Sequence, residues 1–121
     1  MRVLIVEDDI IIAMHLAILV AEFGYEVVGT VRSAPEAIAQ AMALSADIAL
    51  MDIRLAQSSG IDAARQLNRS QGLRCIFVSA NLDEPTRAAL LPLEPIEFVG
   101  KPVMPVVLRR ALRKAEALLE P

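Results

Sequence analysis

The chain of 121 residues contains few of the residues that mark redox and nucleotide-binding proteins. Its single cysteine, Cys75, lies within an apolar run, which predicts a buried and unreactive thiol rather than a redox group. Its five glycines, at positions 24, 29, 60, 72 and 100, form neither a Gly-x-Gly-x-x-Gly turn nor a P-loop. A flavin- or nucleotide-binding module is therefore disfavoured.

Positive charge and long apolar runs are also scarce. Lys and Arg total 12 against 15 Asp and Glu, so the formal charge is −3 at pH 7 and direct binding to nucleic acid is not expected. The longest apolar stretch, 10–21, includes His15 and is too short to cross a bilayer. Because no secretory signal pattern opens the chain, we expect a cytoplasmic protein that does not insert into membranes.

The chain does contain a regular alternation of short apolar runs and longer segments of helical pattern. Strands are predicted near 2–7, 26–31, 47–52, 74–79 and 96–99, and helices near 9–23, 34–44, 60–69, 84–91 and 104–119. Pro85, Pro92 and Pro95 limit the fourth helix to about two turns. This alternation predicts an α/β fold in which helices cover both faces of a doubly wound, five-stranded parallel sheet.

Three of the predicted strands end in charged groups. The first is followed by Glu7-Asp8-Asp9, the third ends at Asp52, and the fifth leads into Lys101. Ligands of open parallel sheets bind beyond the carboxyl ends of the strands, where the winding direction reverses, so we expect these groups to meet there. Asp9 is interpreted as the N-cap of the first helix rather than as part of the site.

Clustered carboxylates at such a point predict a bound cation, since they otherwise repel one another. Mg²⁺ suits oxygen ligands, and we expect Asp8 and Asp52 to bind it directly, Glu7 through water, and Arg54 through its backbone carbonyl. An aspartate beside such a cation can attack phosphorus and form an acyl phosphate. Lys101 would then supply positive charge, and Ser79, at the end of the fourth strand, a hydroxyl.

The chain resembles the response-regulator receiver domain of two-component signalling over residues 2–117. The resemblance lies in Ile5-Val6-Glu7-Asp8-Asp9, Met51-Asp52 with Gly60 eight residues later, Val78-Ser79-Ala80, and Phe98-Val99-Gly100-Lys101-Pro102. It implies a flavodoxin-like receiver fold with strand order 2-1-3-4-5 and five helices. Because the pattern stops just after the fifth predicted helix, we also expect a stand-alone type with no output domain.

The resemblance further implies a role for each matching residue. Asp52 would be the phosphoacceptor, receiving its phosphoryl group from a histidine kinase or a histidine phosphotransfer protein. Glu7 and Asp8 would hold Mg²⁺, Ser79 and Lys101 would contact the phosphoryl group, and Ser79 and Phe98 would form the switch. Such a protein is a signalling domain rather than a conventional enzyme, although it promotes its own phosphotransfer and dephosphorylation. The Lys101-Pro102 peptide bond would be cis.

One residue and one short segment depart from the commonest pattern of that family. Ala56 replaces a frequent proline in the loop after Asp52, and Leu93-Glu94-Pro95-Ile96 replaces a Gly-Ala pair before the last strand. The second departure alters the face around the fourth helix that the family uses for docking.

Two helices carry candidate interaction surfaces. The outward positions of the first helix are apolar, which favours kinase docking or a homodimer, whereas His15 is predicted to face inward. These outward positions are Ile10, Met14, Ala17, Ile18 and Ala21, and the inward neighbours of His15 are Ile12, Leu16, Leu19 and Phe23.

The last helix carries four basic side chains, those of Arg109, Arg110, Arg113 and Lys114. We interpret them as a solvated face paired with Glu116 and Glu120, with partner binding as the alternative.

Several functions are compatible with a receiver-like sequence. The protein controls an unidentified partner, acts as a phosphate sink or relay intermediate, or serves as a non-phosphorylated scaffold or dimerisation module. A phosphatase of the haloacid-dehalogenase type is disfavoured. Its acid/base aspartate would fall at Arg54, and a guanidinium cannot exchange protons in that role.

Overall fold

The computed structural model describes residues 1–55 and 58–120, and within them the predicted strands and helices are all present. The strands are β1 (Arg2–Val6), β2 (Glu26–Val31), β3 (Ile48–Asp52), β4 (Arg74–Ser79) and β5 (Glu97–Gly100). The helices are α1 (Ile10–Glu22), α2 (Ala34–Ala43), α3 (Gly60–Gln71), α4 (Glu84–Leu90) and α5 (Pro105–Leu119). Ala56, singled out above as a departure from the family pattern, lies outside the described residues.

The main sheet confirms the predicted topology. Its strands are all parallel and lie in the order β2-β1-β3-β4-β5. The chain therefore winds in one direction from β1 to β2 and in the other from β3 onward. The carboxyl ends of β1 and β3 lie side by side at this reversal, which is where ligands bind in sheets of this kind.

The central strands β1, β3 and β4 are largely apolar because both faces of the sheet are buried there. Val3 and Ile5 of β1 pack with α1 and α5, whereas Leu4 and Val6 pack with α2 and α3. Cys75 lies in the second of these cores, where burial raises the pKa of its thiol to about 12, as expected for an unreactive group.

The first helix confirms one prediction and corrects another. Asp9 caps it by accepting hydrogen bonds from the backbone N–H groups of Ile11 and Ile12. His15, predicted to face inward, is exposed. The buried stripe consists of Ala13, Leu16, Leu19 and Val20. His15 precedes Leu16 by one residue, roughly 100° around the helix and on the side away from Ala13 and Val20, and so lies just beyond the edge of that stripe.

The outer face of α1 is apolar, as predicted. Ile10, Met14 and Ile18 are 64%, 59% and 54% exposed, Ala21 is also exposed, and Ala17 is half-buried. Ile11, which was not included in the predicted surface, is 75% exposed and extends it.

The short fourth helix is confirmed. Asp83 caps α4 through the N–H of Thr86, and a 3₁₀ turn, Leu91–Leu93, follows the helix. The sequence did not predict the two-residue antiparallel pairing between Arg54–Leu55 and Ser58–Ser59.

The pairing predicted for α5 is wrong within residues 1–55 and 58–120. Lys114 pairs with Glu97 of β5 at 3.5 Å, and Glu116 instead accepts a hydrogen bond from the Tyr25 hydroxyl. Both contacts cross between elements, so spacing along one helix does not reveal them. None of the described helices is long and apolar enough to cross a bilayer.

Candidate functional site

The carboxyl ends of β1 and β3 bring three acids together. Glu7, Asp8 and Asp52 each present a carboxylate oxygen within 4.8 Å of the other two. Glu7 and Asp52 are only 2% and 5% exposed, while Asp8 is half-buried at the opening. The backbone N–H of Glu7 donates to Val31 of β2, which extends the sheet pairing up to the first acid.

Lys101 enters this cluster from the end of β5. Its Nζ lies 2.7 Å from Glu7 Oε1 and 3.4 Å from Asp52 Oδ2, so one ammonium group contacts both buried acids. Its backbone N–H donates to the carbonyl of Ser79, and its peptide bond to Pro102 is cis. The lysine is thus held by the strand pairing that also positions Ser79.

The acids outnumber the nearby cation, and the buried setting of the cluster shifts the pKa of Glu7 and that of Lys101. Burial raises the pKa of Glu7 to about 7, helped by nearby Asp52 and opposed by hydrogen bonds from Lys101 and the Asp9 N–H. Burial alone would lower the pKa of Lys101, but Glu7 and Asp52 together raise it. Three carboxylates with excess negative charge form an all-oxygen donor set that fits a hard divalent cation such as Mg²⁺.

The side chains of the cluster open into a pocket of about 430 Å³. Ser79 is buried at its edge, where its hydroxyl accepts from the N–H of Asn81 and donates to the carbonyl of the same residue. Arg54 is exposed, and its N–H donates to Asp52 Oδ1 at 3.1 Å, which orients the carboxylate. The residues lining the pocket are Glu7, Asp8, Asp9, Ile12, Asp52, Arg54, Ser79, Ala80, Asn81 and Lys101.

Gly60 fits closely against the backbone of Asp52. A Cβ atom at position 60 would lie 1.8 Å from the Asp52 carbonyl oxygen, so no side chain can be accommodated without moving that peptide. The Gly60 N–H also donates to the carbonyl of Ile53. The start of α3 therefore fixes the backbone that carries Asp52.

Phe98 lies outside the pocket, on the side of β5 that faces α4. It is paired in register with Phe77 of β4, and the two rings stack with centroids 6.1 Å apart. The guanidinium carbon of Arg87 lies 4.9 Å from the centroid of the Phe98 ring. The predicted site residues other than Phe98 thus line one pocket. Phe98 lies outside it, in β5, the strand that pairs with β4 and so with the strand that ends at Ser79.

Sequence reasoning missed two arginines around this region. Arg87 covers Phe98, and Arg32 donates to the backbone carbonyl of Asp8 at 3.2 Å. Each arginine reaches an element distant in the chain, and neither belongs to a local motif. The one available signal for Arg87 was its place on the helix that follows Ser79.

Comparison with known families identifies the class of protein. The family model described as "Response regulator receiver domain" matches residues 3–113. The chain therefore belongs to the response-regulator receiver family, as its motifs indicated.

Individual relatives agree with this assignment. Chemotaxis protein CheY of Thermotoga maritima is 31% identical over 114 residues, covering 93% of this chain and 95% of that protein. The protein-glutamate methylesterase/protein-glutamine glutaminase of Archaeoglobus fulgidus is 30% identical over 84% of this chain. This chain spans only 30% of that enzyme, and 32% of another curated relative that it matches.

A solved structure agrees in fold over nearly the whole chain. The signal receiver domain of a modulated diguanylate cyclase from Desulfovibrio desulfuricans G20 superposes with a TM-score of 0.86 at 33% identity, covering 98% of both chains. Receiver domains are phosphoacceptor signalling domains that bind Mg²⁺ at an acidic pocket, and the cluster of Glu7, Asp8 and Asp52 fits such a pocket.

Proposed function

We propose that Asp52 accepts a phosphoryl group from the phosphohistidine of a histidine kinase or histidine phosphotransfer protein in a Mg²⁺-dependent reaction, and that the modified domain controls a protein partner. One observation carries this proposal. The carboxylate of Asp52 is buried beside two further acids, at the floor of an open pocket, with Lys101 Nζ 3.4 Å away.

In the transfer, a carboxylate oxygen of Asp52 attacks the phosphorus atom as the bond from phosphorus to the histidine nitrogen breaks. The electron pair of that bond returns to the imidazole, and the product is an aspartyl phosphate. Lys101 already contacts Asp52 and supports the proposal by offering positive charge to the incoming phosphoryl oxygens. The Arg54 N–H holds the other carboxylate oxygen in place.

In the proposed metal site Asp8 and Asp52 bind the ion directly and Glu7 binds it through water, with the backbone carbonyl of Arg54 as a further oxygen. When bound, Mg²⁺ offsets the charge of the carboxylates and of the phosphoryl group. The geometry supports this assignment, because three carboxylate oxygens lie within 4.8 Å of one another and a single ammonium group, that of Lys101, contacts two of these acids.

The proposed switch begins at Ser79. Its hydroxyl now bonds to the backbone of Asn81, and it must leave those bonds to contact a phosphoryl group on Asp52. Such a movement pulls on the loop after β4 and changes the surroundings of Phe98 in the adjacent strand. Phosphorylation then shifts an equilibrium between two arrangements of this region. Residues 2–117 form the proposed functional unit.

Beryllofluoride, which mimics a phosphoryl group on a carboxylate, tests the proposed site. Isothermal titration of the wild-type protein with Mg²⁺ present should show binding, whereas Asp52→Ala and Asp8→Asn should lose it. Asp62→Ala removes an exposed carboxylate of α3 outside the pocket and should bind normally. Binding that survives in Asp52→Ala, or that needs no Mg²⁺, would contradict the proposal.

We propose that the apolar face of α1, formed by Ile10, Ile11, Met14 and Ile18, docks the phosphoryl donor or a second copy of the chain. Met14→Glu with Ile18→Glu should reduce phosphotransfer from the donor or lower the oligomeric mass. Met42→Glu is a matched control, because Met42 is equally exposed on α2. An unchanged transfer rate together with an unchanged oligomeric mass would show that this face of α1 is not a docking surface.

The lifetime of the aspartyl phosphate distinguishes a messenger from a phosphate sink or relay intermediate. Arg54 and Asn81 line the pocket at its solvent side and should influence hydrolysis. A short lifetime in the absence of a partner favours the sink, and a long one favours the messenger.

A further inference from the structure

Arg87 of α4 connects two parts of the proposed switch. Its guanidinium carbon lies 4.9 Å from the centroid of the Phe98 ring, which is within the range of a cation–π contact. Its Nε donates a hydrogen bond of 2.9 Å to the backbone carbonyl of Leu82, in the loop that leads from β4 to α4. One side chain thus contacts both the ring in β5 and the loop that follows Ser79.

The Phe98 ring lies at the border between the core and the solvent. On the core side it stacks on Phe77, which is 1% exposed, with an angle of 26° between the rings. The Phe98 side chain is itself only half-buried, and Arg87 lies over it. Movement of the ring away from its present position therefore requires loss of the contact with Arg87.

The loop between β4 and α4 connects the same arginine to the pocket. The Ser79 hydroxyl bonds to the N–H and the carbonyl of Asn81, and the next residue, Leu82, accepts from Arg87. Of the residues of α4, all of which the structure describes, Leu90 alone is buried. At the first turn of α4, the Asp83 cap and the bond from Arg87 to Leu82 are the side-chain hydrogen bonds that tie the helix to the loop before it.

We infer that Arg87 is a positioning residue that stabilises the arrangement seen here, with Ser79 bound to Asn81 and Phe98 beneath the guanidinium, and so opposes the switch. The inference deepens the proposed function and rests on it. A ligand on Asp52 that draws Ser79 away must disrupt this arrangement, so its apparent affinity is reduced by the stability that Arg87 contributes.

Beryllofluoride titration in the presence of Mg²⁺ measures this effect. Arg87→Met keeps an unbranched, flexible stem but removes the cation and the Nε donor, and should tighten binding about two- to fivefold, as a cation–π contact at a partly exposed site implies. Arg87→Lys restores the cation but not the Nε–H that bonds to Leu82, and should fall between wild type and Arg87→Met. Arg69→Met on α3 is the control, because Arg69 is exposed and makes no side-chain hydrogen bond within the described residues, and it should match wild type.

A double-mutant cycle assigns the effect to the contact with Phe98. In a Phe98→Leu background, Arg87→Met should change beryllofluoride affinity less than it does in wild type. Fluorine NMR of protein labelled with 4-fluorophenylalanine adds a direct readout, since the chain has three phenylalanines and Phe98→Leu assigns one resonance. Arg87→Met should move the Phe98 resonance in the free protein and leave that of Phe23, assigned with a Phe23→Leu variant, in place.

The outcomes separate the two proposals. If no variant and no wild-type protein binds beryllofluoride, the proposed function fails, and the regulatory role of Arg87 fails with it. If all bind equally tightly, or if the Phe98 resonance does not respond to Arg87→Met, the proposed function stands and Arg87 has no role in the switch.

Discussion

Several single residues around Asp52 each restrict the position of its carboxylate in a different way. Lys101 contacts Asp52 and Glu7 through one ammonium group, and the Arg54 N–H holds Asp52 Oδ1. Gly60 leaves no room for a side chain beside the Asp52 peptide. The position of the carboxylate thus depends on neighbours from β5, α3 and the loop after β3.

Gly60→Ala should destabilise the fold by about 1–3 kcal/mol, the usual cost of forcing an added carbon into a packed site. The added Cβ would lie 1.8 Å from the Asp52 carbonyl oxygen, so the backbone must shift, and beryllofluoride binding should also weaken. Urea unfolding gives the change in free energy.

Gly100→Ala is the matched control, since a Cβ at position 100 meets nothing within 4 Å and the backbone there is not left-handed. It should leave the unfolding midpoint nearly unchanged. Equal losses in the two variants would show that the close approach of Gly60 to Asp52 is not what requires glycine.

At the scale of elements, strand ends supply the reactive groups, and caps and packing fix the helices. The sequence was sufficient to predict the ten elements and the acids, lysine and serine that meet in the pocket, because apolar runs, prolines and strand-end charges are local signals. Contacts of long side chains across elements have no local signal. The contacts of Arg87 with Phe98 and of Lys114 with Glu97 were therefore missed. His15 was misplaced because the edge of a helical stripe is sensitive to the residue from which the count begins.

Asp9→Ala separates capping from metal binding at the start of α1. Asp9 accepts from two N–H groups of the first turn, so its loss should cost about 1 kcal/mol of stability. Mg²⁺ affinity should change little, because the acidic cluster consists of Glu7, Asp8 and Asp52.

Asp8→Ala should show the reverse pattern, with weakened Mg²⁺ binding and a smaller loss of stability. Calorimetric titration with Mg²⁺ and thermal unfolding measure the two quantities. A loss of Mg²⁺ affinity in Asp9→Ala as large as that in Asp8→Ala would place Asp9 in the metal site.

At the scale of the whole molecule, two apolar layers stabilise a sheet that buries acidic groups at one edge. Val3 and Ile5 pack toward α1 and α5, and Leu4 and Val6 toward α2 and α3, so the sheet is covered on both faces. This packing fixes the carboxyl ends of β1 and β3 beside each other. The burial of Glu7 there makes the stability of the fold depend on pH.

Glu7 should make the Mg²⁺-free protein less stable as pH rises. Its pKa is raised by burial from 4.5 to about 7, so the folded state holds a proton that the unfolded state has already released. The resulting stabilisation is fully present below pH 4.5 and is lost as pH rises toward about 7.

Urea unfolding in EDTA between pH 5 and pH 7 tests this dependence against Glu7→Gln, which cannot ionise at that position. The wild-type protein should lose stability relative to the variant over this interval. If the wild-type protein instead gains stability relative to the variant as pH rises, burial is not the main influence on the pKa of Glu7.

The central claim is that Asp52 is the phosphoacceptor of this receiver domain, and labelling by acetyl phosphate followed by peptide mass spectrometry tests it most directly. With Mg²⁺ present, the wild-type protein should gain one phosphoryl group on the peptide that contains Asp52, and the label should be absent in EDTA and in Asp52→Ala. Equal labelling of wild type and Asp52→Ala, or a label mapped to another carboxylate, would contradict the account.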